Sequence, residues 1–86
     1  MITAAQMRAA RALVGIDQKM LAASARLSLP TIQRMEASHG VIRGNVDSLT
    51  KVVQALESMG VELIGDGAAS SGAGRGVRLR DRAART

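Results

Sequence analysis

The chain has 86 residues, enough for one small domain, and contains no Phe, Tyr or Trp. It has no cysteine and one histidine, which excludes disulfide frameworks, thiolate zinc sites and His-rich metal sites. We see no signal peptide and no run of the roughly 20 apolar residues that span a bilayer, so we expect a soluble, cytoplasmic protein without a cofactor. Twelve basic and seven acidic residues give a net charge of +5, compatible with a polyanionic partner such as nucleic acid.

The N-terminal residues predict a first helix with a signal at each end. Thr3 and Gln6 have the spacing of a capping box, in which each side chain accepts a hydrogen bond from the other residue's backbone N–H. Gly15 is a natural left-handed C-cap, so this helix should end near Val14. Its predicted apolar stripe consists of Met7, Ala10, Leu13 and Val14.

Two short helices are predicted next, with only about three residues between them. Asp17 can cap a helix that begins at Gln18, and Ser28 can cap another, whose first turn tolerates Pro30. Such a short connection does not suit two helices lying side by side in a long bundle. It favours a sharp helix–turn–helix corner.

A fourth helix should begin at Asn45 or Asp47 and end at Gly60. Its apolar face is predicted to consist of Val46, Leu49, Val52, Val53, Leu56 and Met59. The composition then changes to two short β-type runs at 61–64 and 77–80, with a Gly-, Ala- and Ser-rich segment between them.

The pattern from residue 18 to residue 37 is specific in both residue type and spacing. Gln18 is followed by Leu21-Ala22, Ile32 lies midway along the third helix, and Met35-Glu36 comes after it. This pattern resembles the helix-turn-helix motif of the Cro/CI phage-repressor family, also called the XRE family. That family often has glycine in the turn where this chain has Arg26, so we expect a turn that is strained or differently shaped.

The resemblance implies a mainly α fold and a sequence-specific DNA-binding transcriptional regulator rather than an enzyme. We expect a compact four-helix, repressor-like domain over 1–60, with the motif at 18–37. A C-terminal β-hairpin or strand extension would occupy 61–80 with a flexible loop at 65–76, and 81–86 would form a tail.

The resemblance also implies which residues contact double-stranded DNA. The third helix would enter the major groove, where Arg34 can bind guanine and Gln33 can bind adenine. Gln18 matches the family position that holds a phosphate. The full expected set of DNA-binding residues is Gln18, Ser28, Leu29, Pro30, Thr31, Gln33, Arg34 and Arg43. Arg11 and Glu36 match two positions that form a structural ion pair in the family's phage repressors.

The β-type runs also predict self-association, because unpaired strand edges bind further strands. We expect a homodimer in which the strands of two chains form one sheet, through Val61, Leu63, Ile64, Val77 and Leu79. The competing hypothesis is that the strands fold back on their own domain and the protein dimerises only on DNA.

Other functions are less well supported by the residues. The glycines of the segment at 65–76 lack the spacing and the Lys-Ser/Thr of a phosphate-binding loop. We expect no small-molecule ligand, because we predict no second domain that could bind one. The alternative function is a protein-interaction module on the same fold, such as an antitoxin or an anti-activator. Leu29 and Pro30 would suit such a contact as well as they suit DNA.

Overall fold

The structure, a computed structural model, describes residues 2–42, 44–65 and 74–80. Four helices precede one two-stranded antiparallel sheet: α1 (Ala4–Val14), α2 (Gln18–Ala25), α3 (Leu29–Glu36), α4 (Val46–Ser58), β1 (Val61–Ile64) and β2 (Gly76–Leu79). The fold is therefore mainly α with a C-terminal hairpin, as predicted. Within the described ranges, no helix has the length and apolar character needed to cross a bilayer.

The helix starts confirm the predicted caps. At α1, the Thr3 hydroxyl accepts from the backbone N–H of Gln6 at 3.1 Å, and the Gln6 side chain accepts from that of Thr3 at 2.9 Å. Asn45, not Asp47, caps α4. The four N-caps are thus Thr3, Asp17, Ser28 and Asn45. Because these bonds are local, they fix the helix starts independently of the rest of the fold.

The turn between α2 and α3 depends on a left-handed residue that is not glycine. Arg26 ends α2 with φ 58° and ψ 42°, and the backbone N–H of Leu27 donates to Ala22 across the turn at 2.9 Å. This is the bonding of a glycine-type C-cap. The chain therefore keeps the turn and accepts the steric cost of a Cβ atom at this position.

Replacing Arg26 with glycine should raise the free energy of unfolding by about 1 kcal/mol, because glycine adopts positive φ without the Cβ clash. Urea denaturation would measure the change. Arg26→Ala is the matched control, since it removes the charge and keeps the Cβ atom. An equal gain in both variants would attribute the effect to charge and contradict backbone strain.

The core lies where the four helices and β1 meet. Its largest fully buried side chains are Ile2, Met7, Leu21, Ile32, Val52, Leu56 and Val61. Two residues predicted on apolar faces lie outside it, since Leu13 is 42% exposed and Val46 is 67% exposed. Leu13 is the second-last residue of α1 and Val46 is the first residue of α4. Helical periodicity shows which face a residue lies on, but not where the neighbouring helix stops.

The two strands pair with each other within one chain. The register places Val61 opposite Leu79, Glu62 opposite Arg78, Leu63 opposite Val77 and Ile64 opposite Gly76. The second strand thus starts one residue earlier than predicted. Much of the expected flexible loop, 66–73, and the whole expected tail, 81–86, lie outside the described residues.

The hairpin packs on the helical domain of its own chain. It contacts α1 and α4, Val61 is fully buried, and Leu63 and Val77 pack against the core. These three side chains of the expected dimer interface thus stabilise the fold of one chain. Ile64 is half-buried and Leu79 is 49% exposed.

The side chain of Gln6 joins the hairpin to α1. Its amide nitrogen donates to the carbonyl oxygens of Ile64 and Gly76, each at 2.9 Å. The sequence predicted only the capping role of this residue. One buried side chain therefore fixes both the start of α1 and the loop end of the strand pair.

Candidate nucleic-acid interface

The outer face of α3 presents two polar side chains, and the opposite face of the helix packs into the core. Ile32 is fully buried and Met35 is buried, which orients the helix as the sequence predicted. Gln33 and Arg34 are exposed on the opposite side. Both side chains have the bidentate hydrogen-bonding geometry that matches a base edge in the major groove.

The first turn of α3 is less polar than its residue types suggest. The hydroxyls of Ser28 and Thr31 are hydrogen-bonded to each other at 2.8 Å, and Ser28 also accepts from the backbone N–H of Thr31. Leu29 is half-buried and Pro30 is exposed. The bond between the two hydroxyls uses one hydroxyl hydrogen, and the other hydroxyl keeps its hydrogen to donate. The turn therefore offers apolar contact through Leu29 and Pro30 together with one hydroxyl donor.

Exposed charge on the motif has a single sign. Lys19 on α2, Arg26 in the turn and Arg34 on α3 are exposed, and the ion pairs of the described residues do not involve them. The acidic member of the motif, Glu36, is only 3% exposed at its side chain and is paired. The surface of the motif is consequently positive, which favours a polyanion.

Arg11 and Glu36 form the ion pair that the resemblance implied. Arg11 Nε lies 2.6 Å from Glu36 Oε2, and Nη2 lies 2.7 Å from Oε1. Burial raises the pKa of Glu36, but hydrogen bonds from Arg11 and Gln18 and the charges of Arg11 and Arg8 outweigh it. The net effect holds the pKa of this carboxyl below its ordinary value, while the hydrogen bond to Glu36 raises the pKa of Arg11.

Gln18 belongs to the same cluster, which the sequence did not reveal. Its amide nitrogen donates to Glu36 Oε1 at 3.1 Å, from the first position of α2. An amide nitrogen carries two hydrogens, so a second donor remains for a phosphate oxygen beside the free N–H groups of the α2 N-terminus. Glu36 therefore orients the side chain expected to hold a phosphate.

Arg8 makes a second contact that sequence reasoning missed. Its guanidinium donates to the backbone carbonyl of Glu36 at the end of α3. With Arg11, it ties α1 to the C-terminal end of α3. Spacing along one helix gives no signal for such a bond, because the acceptor is a main-chain atom 28 residues away.

The remaining expected DNA contact, Arg43, lies outside the described residues. An open cleft separates the end of α3 from the start of α4, and its lining includes Thr31, Arg34, Ser38, Asn45 and Ser48. Five of its seven lining residues have polar side chains. In the part of the chain that the structure describes, no cluster of His, Cys, Asp or Glu is arranged to hold a metal ion.

Comparison with known proteins gives no further assignment. No protein-family model matches this chain, and no curated protein matches it at a significant level.

Proposed function

We propose that this protein is a sequence-specific DNA-binding transcriptional regulator of the Cro/CI, or XRE, type. The observation that carries the proposal is the outer face of α3, where Gln33 and Arg34 are exposed on a helix anchored by Ile32 and Met35. The corner formed by α2 and α3 projects this face. The exposed charged residues within the motif, Lys19, Arg26 and Arg34, are all basic.

The contacts are divided between reading bases and holding the backbone. Arg34 and Gln33 read base edges in the major groove. Gln18, oriented by Glu36, binds a phosphate together with the α2 N-terminus and sets the register of the protein on the duplex. Pro30 and Leu29 provide apolar contact to thymine methyl groups at the start of α3.

We expect Arg34→Ala to weaken binding to the preferred site about 5- to 150-fold per half-site, because a bidentate base contact contributes about 1–3 kcal/mol. Binding to scrambled DNA should fall much less. Gln18→Ala should weaken both by similar factors, since phosphates carry no sequence information. The measurement is a titration at one salt concentration, using a site selected from a random duplex library.

Two outcomes would contradict these assignments. Equal losses on both DNAs for Arg34→Ala would mean that this side chain does not read bases. Failure of the wild-type chain to enrich any sequence from the library would contradict DNA recognition itself. Lys51→Ala is the matched control, because it removes a positive charge that is paired with Asp47 on α4 at 3.3 Å, outside the motif.

The alternative function is a protein-interaction module, and one observation favours it. Met20 on α2 is 55% exposed, and Pro30 is also exposed at the start of α3. An apolar contact made through these two side chains would not need Arg34. In that case Met20→Lys would abolish the effect of the protein on gene expression in cells. The result of the selection from the random duplex library would be the same as for the wild-type chain.

A further inference from the structure

The left-handed residue between α2 and α3 has an exposed cationic side chain. Arg26 adopts φ 58°, a conformation that is unfavourable for any residue with a Cβ atom and easy for glycine. Among the described residues, its guanidinium makes no hydrogen bond and no ion pair. The fold would accept glycine here, so the arginine side chain needs another explanation, and strained residues cluster at functional sites.

An open polar cleft lies beside Arg26, between the end of α2 and the second half of α4. Its lining combines two basic side chains with three neutral polar ones and two alanines: Arg26, Lys51, Ser24, Gln54, Ser58, Ala25 and Ala55. In the part of the chain that the structure describes, no acidic residue lines it. Two cations thus share one depression, where an anion between them would remove their mutual repulsion.

We propose that this cleft binds the phosphate group of a small phosphorylated ligand, held between Arg26 and Lys51. A guanidinium can bind two phosphate oxygens at once, and an ammonium adds a compact second charge. Ser24 and Gln54 are both exposed, and their hydroxyl and amide groups can donate to the remaining oxygens. A carboxylate has two oxygens and a single charge, so a phosphate uses this set of donors more completely.

Two local interactions bear on this site, and neither prevents it from binding an anion. Lys51 is paired with Asp47, but both side chains are exposed. Because exposed pairs of this kind contribute little, the ammonium can turn to a doubly charged anion. The end of α2 places a partial negative charge of about half a unit near the cleft, which two full positive charges outweigh. Ser58 is not counted as a donor, since its hydroxyl already donates to the carbonyl of Ala55 at 2.7 Å.

The position of the cleft favours a free ligand over the DNA backbone as the source of the phosphate. Residues of α2, α4 and the turn line it, and no described residue of α3 does, whereas the proposed base-reading side chains Gln33 and Arg34 lie on α3. The expectation of no small-molecule ligand rested on the lack of a second domain. This cleft needs none, because it lies between two helices of the one domain.

Titration of the full chain with inorganic phosphate, followed by amide NMR without DNA, tests this site independently of the proposed function. At about pH 8 phosphate is mainly a dianion, and we expect a Kd of about 1 mM for so small a ligand. The amides of 24–26 and 51–58 should shift, and sodium chloride of the same ionic strength should not shift them. Arg26→Gly should weaken phosphate binding about fivefold, although the same substitution is expected to stabilise the fold.

Lys51→Ala should weaken phosphate binding by a similar factor. Lys19→Ala is the matched control, because Lys19 is an exposed lysine of α2 that does not line the cleft; it should bind phosphate as the wild-type chain does. Shifts spread over the whole protein, an equal loss in Lys19→Ala, or unchanged binding in Arg26→Gly would overturn the proposal. So would weaker binding of Arg26→Gly to the duplex selected from the library, because it would assign Arg26 to the DNA backbone.

Discussion

Replacing Arg11 with alanine is expected to lower the free energy of unfolding by about 3 kcal/mol, at the lower end of the cost of breaking a buried ion pair. The Glu36 carboxylate, with 3% of its side chain exposed, would stay buried and lose a bidentate partner. Gln18 would remain as its side-chain donor. Because small domains are stable by only about 5–15 kcal/mol, this loss is a large part of the total.

A double-mutant cycle measures the interaction free energy between Arg11 and Glu36. It separates this energy from the destabilisation caused by leaving one charged side chain without its partner. Glu36→Ala should cost less than Arg11→Ala, about 2 kcal/mol, because Arg11 is 20% exposed at its side chain and can turn to water. The double variant should recover part of the summed loss. Urea denaturation of the four proteins gives the coupling energy.

Lys51→Ala provides the control for this cycle, since it breaks a pair in which both side chains are exposed. It should cost about 0.5 kcal/mol or less. Strict additivity of the Arg11 and Glu36 changes would mean that the two side chains do not interact. The correspondence with the Cro/CI pattern would then be out of register.

Local signals made much of the helical part predictable from the sequence. The N-cap bonds of Thr3 and Asp17 join residues three apart, and Gly15 adopts the left-handed conformation expected of a C-cap. These interactions need no tertiary structure to form. The inward positions of Ile32 and Met35 followed from helical spacing, and with them the outward positions of Gln33 and Arg34.

Contacts between residues far apart in the chain could not be predicted from the sequence. The first strand was predicted at its observed bounds and the second strand one residue too late. The register between the strands and their packing on α1 depend on contacts across the whole chain. Val61 illustrates the difficulty: four β-type residues suit an interface between chains as well as the edge of a core. The donation of Gln18 to Glu36 was also missed, because the two residues lie 18 positions apart on different helices.

The sequence predicted only one of the two structural roles of Gln6, its part in the capping box. Its replacement is expected to have the second large effect on the free energy of unfolding. Gln6→Ala should lower the free energy of unfolding by about 2–3 kcal/mol, through loss of the capping box and of the bonds to two strand carbonyls. Gln33→Ala, which truncates an exposed glutamine on α3, is the matched control and should change it by less than about 0.5 kcal/mol.

Gln6→Glu separates the two roles of this side chain. Glutamate is a capping-box residue, so the start of α1 should be kept. Its carboxylate has no hydrogen to donate and would instead face the carbonyl oxygens of Ile64 and Gly76, which repel it. Hydrogen exchange of the strand amides should therefore accelerate in Gln6→Glu, while the amides of α2 and α3 keep their protection. Unchanged exchange in β1 and β2 would show that the hairpin is held by its apolar side chains alone, with no contribution from the amide of Gln6.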